Sequence, residues 1–572
     1  MRALVLALSA WLCLSANALT VNRLNGSASV TYIDFVLPGN IPMELVRTYN
    51  SITAASEQRG WLGAFGWGWT APFETTMTTT PDRKVLLRDG ANGNTVVFRP
   101  EKEDPKVMAD FLEELKQAYF EREKGMKLSK SEASKLNLPE RIASNVRTDP
   151  DFRNEMAAKY GIKGKIPVGQ VLISSEFGYQ TVYQKGNQWI RTREAYTQTF
   201  DSDGRLIRQR DNKGNVFTFT YSASQKFQLE EIRDANKTAS LRLKWKNERV
   251  AEVSDNRGNK ATYTYDPGGN LIQVTDSDKQ TYRYVYDNKK FPHLLTRIDY
   301  ITESKAKPVY REIRYDDSAL VVFHHEKDGD EVAFSYGKIA RDPENNFWTK
   351  SVHTKNGVKD EMYDEFLIKA HTDGTKYLYR QENKQNGVTT ITTYNPCCGQ
   401  PLEISKNGAV TAFKYYADGL LKERVGPNED VQIEYDARWK KVSHVKQNGS
   451  KYDYTYDATG NLTQAKNDKN EVVSLKYDKQ GRIAEMGAGP DRNITFKYGD
   501  IGKPVLISQA GVGSIKLSYD SHGRIRAAES IAEPQGRKPS KDDNKEIVRK
   551  VMRNFQLLLD ILRPAGVGVA MG

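Results

Sequence analysis

The sequence predicts a mainly β protein built around one long sheet of short repeats, and three observations carry that prediction. Tyrosines recur at 394, 415, 435, 456, 477, 498 and 519, in steps of 20 or 21 residues, the mark of a repeat array. The best-preserved units are Tyr456-Asp457-Ala458-Thr459-Gly460-Asn461-Leu462, Tyr477-Asp478-Lys479-Gln480-Gly481-Arg482-Ile483 and Tyr519-Asp520-Ser521-His522-Gly523-Arg524-Ile525; each places glycine four residues after tyrosine and an aliphatic residue six after. The composition, 38% apolar with 30 tyrosines among 572 residues, suits strands better than helices.

Each unit reads as a hairpin. A strand ends on the aromatic residue, Asp bonds its own backbone, Gly accepts positive φ, and the aliphatic residue opens the next strand. About 21 residues hold two strands of ordinary length and two turns. One unit cannot bury its apolar face alone, so neighbours stack into a continuous sheet. The pairs that define the frame are Tyr265 and Gly269, Tyr415 and Gly419, Tyr456 and Gly460, Tyr477 and Gly481, and Tyr519 and Gly523. The same frame occurs earlier, from Phe200-Asp201-Ser202-Asp203-Gly204-Arg205-Leu206 through Tyr221 and Tyr265 to Tyr286-Asp287, Tyr315 and Tyr336. Two units depart from it. Trp439 stands where Gly is expected after Tyr435, and Tyr498 is followed by Gly499, with Pro504 at the aliphatic position; bulges or edge irregularities are expected there.

These residues resemble the RHS/YD-repeat family, named for the Tyr-Asp pair, over roughly residues 195 to 527. The resemblance implies a spiralling YD-repeat β-sheet, an open or partly closed RHS-like shell, here with a small helical insertion and a C-terminal helix.

In chain order, residues 1–18 read as a secretory signal: Arg2, an apolar run from Ala3 to Leu14, and the small-x-small site Ala16-Asn17-Ala18, with cleavage before Leu19. Residues 19–100 form a β-rich aromatic cap. Ser29 to Phe35 and Met43 to Tyr49 read as strands around the turn Pro38-Gly39-Asn40. Glycines then alternate with large aromatics from Trp61 to Trp69, which suits rings packed on close backbone or an aromatic platform for carbohydrate. Arg47 to Ser51 followed by this segment resembles the N-terminal cap of RHS proteins.

Residues 101–165 carry helix signals. Asp104-Pro105 starts one helix, Ser129 to Glu132 is a capping box, and Asp149-Pro150 starts another. This insertion holds 14 Lys and Arg against 13 Asp and Glu, so it is not a basic nucleic-acid domain; it recognises a partner or covers an end of the sheet. Residues 166–527 are the array. Within it, His324 and His325 are neighbours on a strand and point to opposite faces, so they do not share a metal ion. Cys397 and Cys398, at a turn position, form a vicinal disulfide, remain thiols or bind metal with partners elsewhere.

Residues 528–545 are a linker, and 546–572 an amphipathic helix with an apolar tail. Its face Val551, Phe555, Leu558 and Leu562 packs on the sheet or docks a partner.

No nucleophile elbow, zinc-protease motif, phosphate loop or paired Cys-x-x-Cys occurs in the sequence. The expectation is therefore no catalytic residues, no cofactor and no metal. The formal net charge is +12, and without a concentrated basic run it reads as charge spread over strand faces and edges; nucleic acid is not an expected partner. No further apolar run is long enough to span a bilayer. The chain reads as an exported, non-enzymatic scaffold or interaction protein of the bacterial periplasm, cell surface or medium, with a protein or glycan partner.

Two other readings stand beside it. One is a shell or carrier remnant of a polymorphic-toxin delivery system, and the other a carbohydrate-binding surface protein. The family's toxin carriers release a C-terminal toxin at Asp-Pro-x-Gly. Asp266-Pro267-Gly268-Gly269 matches that bare pattern, but within a repeat, and the fewer than fifty residues after Ile525 are expected to hold no toxin domain.

Overall fold

The computed structural model describes residues 19–562, apart from 38–42, 56–61, 175–178, 194–195, 212–214, 304–307, 397–398, 490–491, 500–501, 520–524, 532–540 and the single residues 103, 236, 238 and 372. Ala16, Ala18, Cys397, Cys398 and Gly523 lie outside the described residues.

The hairpin at Tyr456 shows how local chemistry sets the repeat. Asp457 N donates to Asn461 O at 2.9 Å and Gly460 N to Asp457 O at 3.0 Å. Asp457 Oδ1 accepts from the backbone N–H groups of Thr459 and Asn461 at 2.8 and 3.0 Å. Gly460 adopts φ +84°, a region closed to most side chains. At the start of the next strand Tyr456 pairs with Leu462 and Thr455 with Gln464, which leaves Thr463 as a bulge.

Bulges were expected only at the irregular units. They occur beside most of the repeat aromatics: at Phe200, Tyr221, Trp245, Tyr265 and Tyr315, and in every unit from Tyr394 to Tyr519, but not at Tyr286 or Tyr336. The reason is a second hydrogen bond. The residue opening the strand at the bulge offers its carbonyl to the hydroxyl of the next tyrosine: Tyr456 OH donates to Val442 O and Tyr477 OH to Leu462 O, both at 2.7 Å. Tyr519 OH does the same to Pro504 O, also at 2.7 Å. Trp245 stands in for tyrosine, its Nε1 donating to Leu229 O at 2.7 Å. After Tyr435 the turn is one residue longer, and Lys440 takes the left-handed conformation at φ +52°. Trp439 is thereby free to lie against Gly460 of the next unit.

Among the described residues thirty-three strands, from β10 (Leu172–Ser174) to β42 (Ile525–Ile531), form one antiparallel sheet in strict chain order. Before it, β1 (Leu19–Val21), β2 (Ala28–Leu37), β3 (Met43–Asn50) and β6 (Trp69–Thr70) make a four-stranded sheet, and β4 (Leu62–Gly63) pairs with β5 (Gly66–Trp67). The strands β7 (Thr76–Thr79), β8 (Val85–Arg88) and β9 (Thr95–Phe98) form a third sheet. Two bridges tie it to the large sheet, Arg99 with Ile173 and Thr76 with Arg205. Val85, Leu87, Phe98, Leu172, Val182 and Phe200 are buried between them.

The sheet winds back past its own start. Lys84 Nζ lies 2.9 Å from Asp373 Oδ2, 289 residues away. Gly374, at φ +84°, packs so closely on the Thr148 carbonyl that a β-carbon has no room. Burial raises the Tyr179 phenol, and the charges of Asp418 and Lys440 also reach it.

The insertion contains α2 (Lys106–Lys124), α3 (Lys130–Ala133), α4 (Glu140–Thr148) and α5 (Pro150–Tyr160), after a short α1 (Ser51–Ala54) in the cap. The expected starts are in place. Lys106 N donates to Asp104 Oδ1 at 2.9 Å, Ser129 and Glu132 cap each other, and Asp149 Oδ1 accepts from Asp151 N and Phe152 N. Phe111, Leu115, Val146 and Met156 give the insertion a core of its own. The final helix, α6 (Lys541–Leu562), begins earlier than the sequence pattern implied, and no described helix is long and apolar enough to cross a membrane.

Candidate functional site: the tyrosine face of the sheet

Register carries one set of side chains along the same face of the whole sheet. Tyr263 and Tyr265, Phe413 and Tyr415, and Tyr454 and Tyr456 occupy equivalent positions, because partners in a ladder point the same way. His324 is on this face and buried, whereas His325 is half-buried on the other.

The cap covers the first part of the face. At its centre Arg47 and Asp34, both buried, form a bidentate pair. Tyr263 OH donates to Asp34 Oδ2 at 2.8 Å, and the guanidinium lies 4.7 Å from the Trp69 ring centre. Burial opposes the Arg47 charge, and Asp34 outweighs it, so the group stays protonated. The Gly-Trp-Gly segment docks nearby. Trp67 Nε1 donates to Gly268 O at 3.0 Å, its ring stacks on His293 at 4.4 Å, and Gly66 sits against the Gly269 carbonyl with no space for a side chain. The Asp266-Pro267-Gly268-Gly269 segment is therefore a hairpin turn bound by the cap, with Asp266 Oδ1 accepting from Asn270 N at 2.8 Å.

Helix α6 covers the last part of the face. Val551, Leu558 and Leu562 are buried in one cluster with Val431, Leu462 and Leu475, and Phe555 packs at its margin. The apolar side considered for partner docking is thus occupied by the chain's own sheet.

Between these covers lies an open stretch. From β28 (Lys376–Gln385) to β32 (Leu421–Gly426) no residue of any strand is fully buried. Five strands at about 4.8 Å spacing make it roughly 24 Å wide. On the tyrosine face it presents Gln381, Asn383, Thr390, Thr392, Ile404 and Phe413. Its border on the cap side is polar: Asp364 is buried, paired with Arg23 of the cap, and accepts from Gln381 Nε2 and Asn383 Nδ2 at 3.0 and 2.8 Å. Sequence reading missed this stretch, because the repeat pattern looks the same whether or not another segment lies on it.

A second concavity, about 630 Å³, opens beside the cap between Leu62, Phe73, Tyr221, Phe227, Trp245 and Arg249. Phe227 is 56% exposed there. Among the repeat residues singled out, Tyr265 and Tyr415 donate to Val250 O and Pro401 O at 2.7 Å. Gly269, Gly419 and Gly481 have φ between +74° and +88°. All of these build the wall. No group of three or more His, Cys, Asp and Glu able to hold a metal occurs among the described residues.

Family models match three stretches of the chain: a domain of unknown function, DUF6531, over 20–98, an RHS Repeat over 246–281 and a Teneurin YD-shell over 421–549. No curated protein matches it. Among solved structures the chain is similar to a TcdB2-TccC3-TEV crystal structure, at 10% identity over 93% of this chain and 31% of that one, with a TM-score of 0.39. It is also similar to TcdB2-TccC3, at 11% over 89% and 32% with 0.35, and to a Photorhabdus luminescens Tc holotoxin pore, at 10% over 89% and 32% with 0.31. The chain spans about a third of the length of those chains.

Proposed function

The chain is an RHS/YD-repeat protein, and from that premise we propose that it is an exported, non-enzymatic scaffold whose open tyrosine face holds a polypeptide partner in the bacterial envelope or outside the cell. The observation that supports this reading is the distribution of cover. The chain lays its own cap and its own helix on the two flanks of the face, and among the described residues none in the five strands between them is fully buried. Gln381, Asn383, Thr390 and Thr392 offer hydrogen bonds, and Ile404 and Phe413 offer apolar contact, a mixture suited to polypeptide.

The test is a pull-down from the native envelope fraction with the unaltered chain, with Thr392→Arg and Phe413→Arg combined, and with Val410→Arg on the opposite face. A partner lost only with the first variant supports the reading; an identical partner set in all three rejects it. A second reading, glycan binding, is favoured by Phe227 and Trp245 in the cleft beside the cap. Retention on immobilised glycans that persists at raised salt and disappears with Phe227→Ala would select it.

A further inference from the structure

Strand β1 begins at Leu19, a buried residue that pairs with Val30 of β2. The Leu19 backbone nitrogen is directed at the carboxylate of Glu326 in the wall of the sheet. One oxygen of that carboxylate, Oε2, accepts from Arg311 Nε at 2.6 Å. The other, Oε1, is buried and accepts no hydrogen bond from any side chain. His324 Nδ1 lies 3.7 Å from it, equally buried and without a partner. Burial raises the Glu326 carboxyl and lowers His324 to about 4, so the imidazole is neutral at physiological pH and gives the carboxylate no charge. A peptide N–H at Leu19 offers this carboxylate one proton and no charge. An ammonium at the same atom offers three protons and a positive charge.

We propose that Glu326 is the receptor for a new N-terminus generated by cleavage between Ala18 and Leu19. Hydrolysis adds one water across that peptide bond: Ala18 keeps the new carboxylate, and Leu19 keeps an amine that takes up a proton. The resulting α-ammonium pairs with Glu326 Oε1, inside a site built by Arg311, His324 and the strand that follows Ala18. The inference rests on the reading of residues 1–18 as a secretory leader. Its consequence is that export and completion of the fold are coupled: removal of the leader supplies the missing partner and fastens β1, and with it the cap, to the sheet at residue 326.

The experiment uses the mature chain released from a cleavable fusion with Leu19 as its first residue, the same chain with one glycine before Leu19, and the Leu19 chain carrying Glu326→Gln. Each is treated with an N-hydroxysuccinimide ester at pH 7, and acylation of the terminal amine is followed by mass spectrometry of the N-terminal peptide. The Leu19 amine should react at least about tenfold more slowly than the glycine-extended amine and than the amine of Glu326→Gln, tenfold being about one pKa unit of added protection. Equal rates in the three chains overturn the receptor. The glycine-extended chain carries no substitution, so the comparison stands even where Glu326→Gln folds poorly. N-terminal sequencing of the protein exported from the full chain tests the leader separately: a first residue other than Leu19 rejects the cleavage position, whatever the acylation rates show.

Discussion

Tyr477 turns its ring to the face covered by α6 and carries its hydroxyl 2.7 Å from Leu462 O. Tyr477→Phe keeps the ring and leaves that carbonyl without its donor, so a loss of about 1–2 kcal/mol is expected in urea denaturation. Gly460→Val has a different cause. The position has φ +84°, and an added β-carbon would lie 2.9 Å from the Trp439 ring, so strain of about 1–3 kcal/mol, seen as a lower Tm, is expected. His324 makes stability depend on pH. Its folded pKa is depressed to about 4, first by burial and then by the charge of Arg311. The unfolded chain binds a proton near pH 6.5 and the folded chain does not, so up to about 3 kcal/mol is lost as pH falls from about 6.5 to about 4. The raised Glu326 carboxyl acts in the opposite sense over part of that window. The difference between the unaltered chain and His324→Gln, measured by denaturation across this range, isolates the histidine.

At the scale of elements, the signals that could be read were the ones a few residues can carry. Asp104, Ser129 and Asp149 announced helix starts through capping chemistry: Asp149 is the N-cap of its helix, Ser129 and Glu132 bond each other, and Asp104, one residue ahead of the N-cap Pro105, accepts from Lys106 N. Helix α4 was not foreseen: it follows Pro139 with no side-chain cap, so no local mark precedes it. For the C-terminal helix the sequence showed an apolar side and left its partner open, since the same stripe serves a core or a foreign groove. The sheet takes it. Leu558→Ala should therefore cost about 2–5 kcal/mol through the cavity left in the cluster it shares with Leu462 and Leu475. Limited proteolysis would show it as faster cutting within 541–562, with the cap-covered strands unchanged; equal cutting rates would place the helix off the sheet.

For the molecule as a whole, winding rests on contacts between distant turns. Asp373 meets Lys84 of the cap, and Arg153 of the insertion, itself buried, donates to the Asp373 backbone carbonyl at 3.4 Å. The Asp373 carboxyl is held far below its usual range; burial opposes this, and bonds from Thr375 and Lys84 outweigh it. Asp373→Ala should loosen the insertion from the returning sheet, read as faster amide exchange over 150–160, while exchange in 472–483 stays the same. The boundary of the open tyrosine face is set at this scale too, by Arg23 reaching Asp364 across more than three hundred residues.

The sequence by itself determined the unit of construction: the 21-residue period, the Asp-and-Gly turn, the tyrosine that ends one strand of each unit and the aliphatic residue that opens the next. All of these depend on neighbours within one repeat, so one repeat is enough to reveal them. Only the tertiary structure decided that the tyrosine hydroxyls from Tyr415 to Tyr519 each close a carbonyl at a bulge, where the cap and the helix lie, which five strands hold no fully buried residue, and that Leu19 meets Glu326. These follow from twist summed over thirty-three strands and from contacts between residues hundreds of positions apart. No repeat contains that information, because each unit is compatible with any neighbour that continues its ladder.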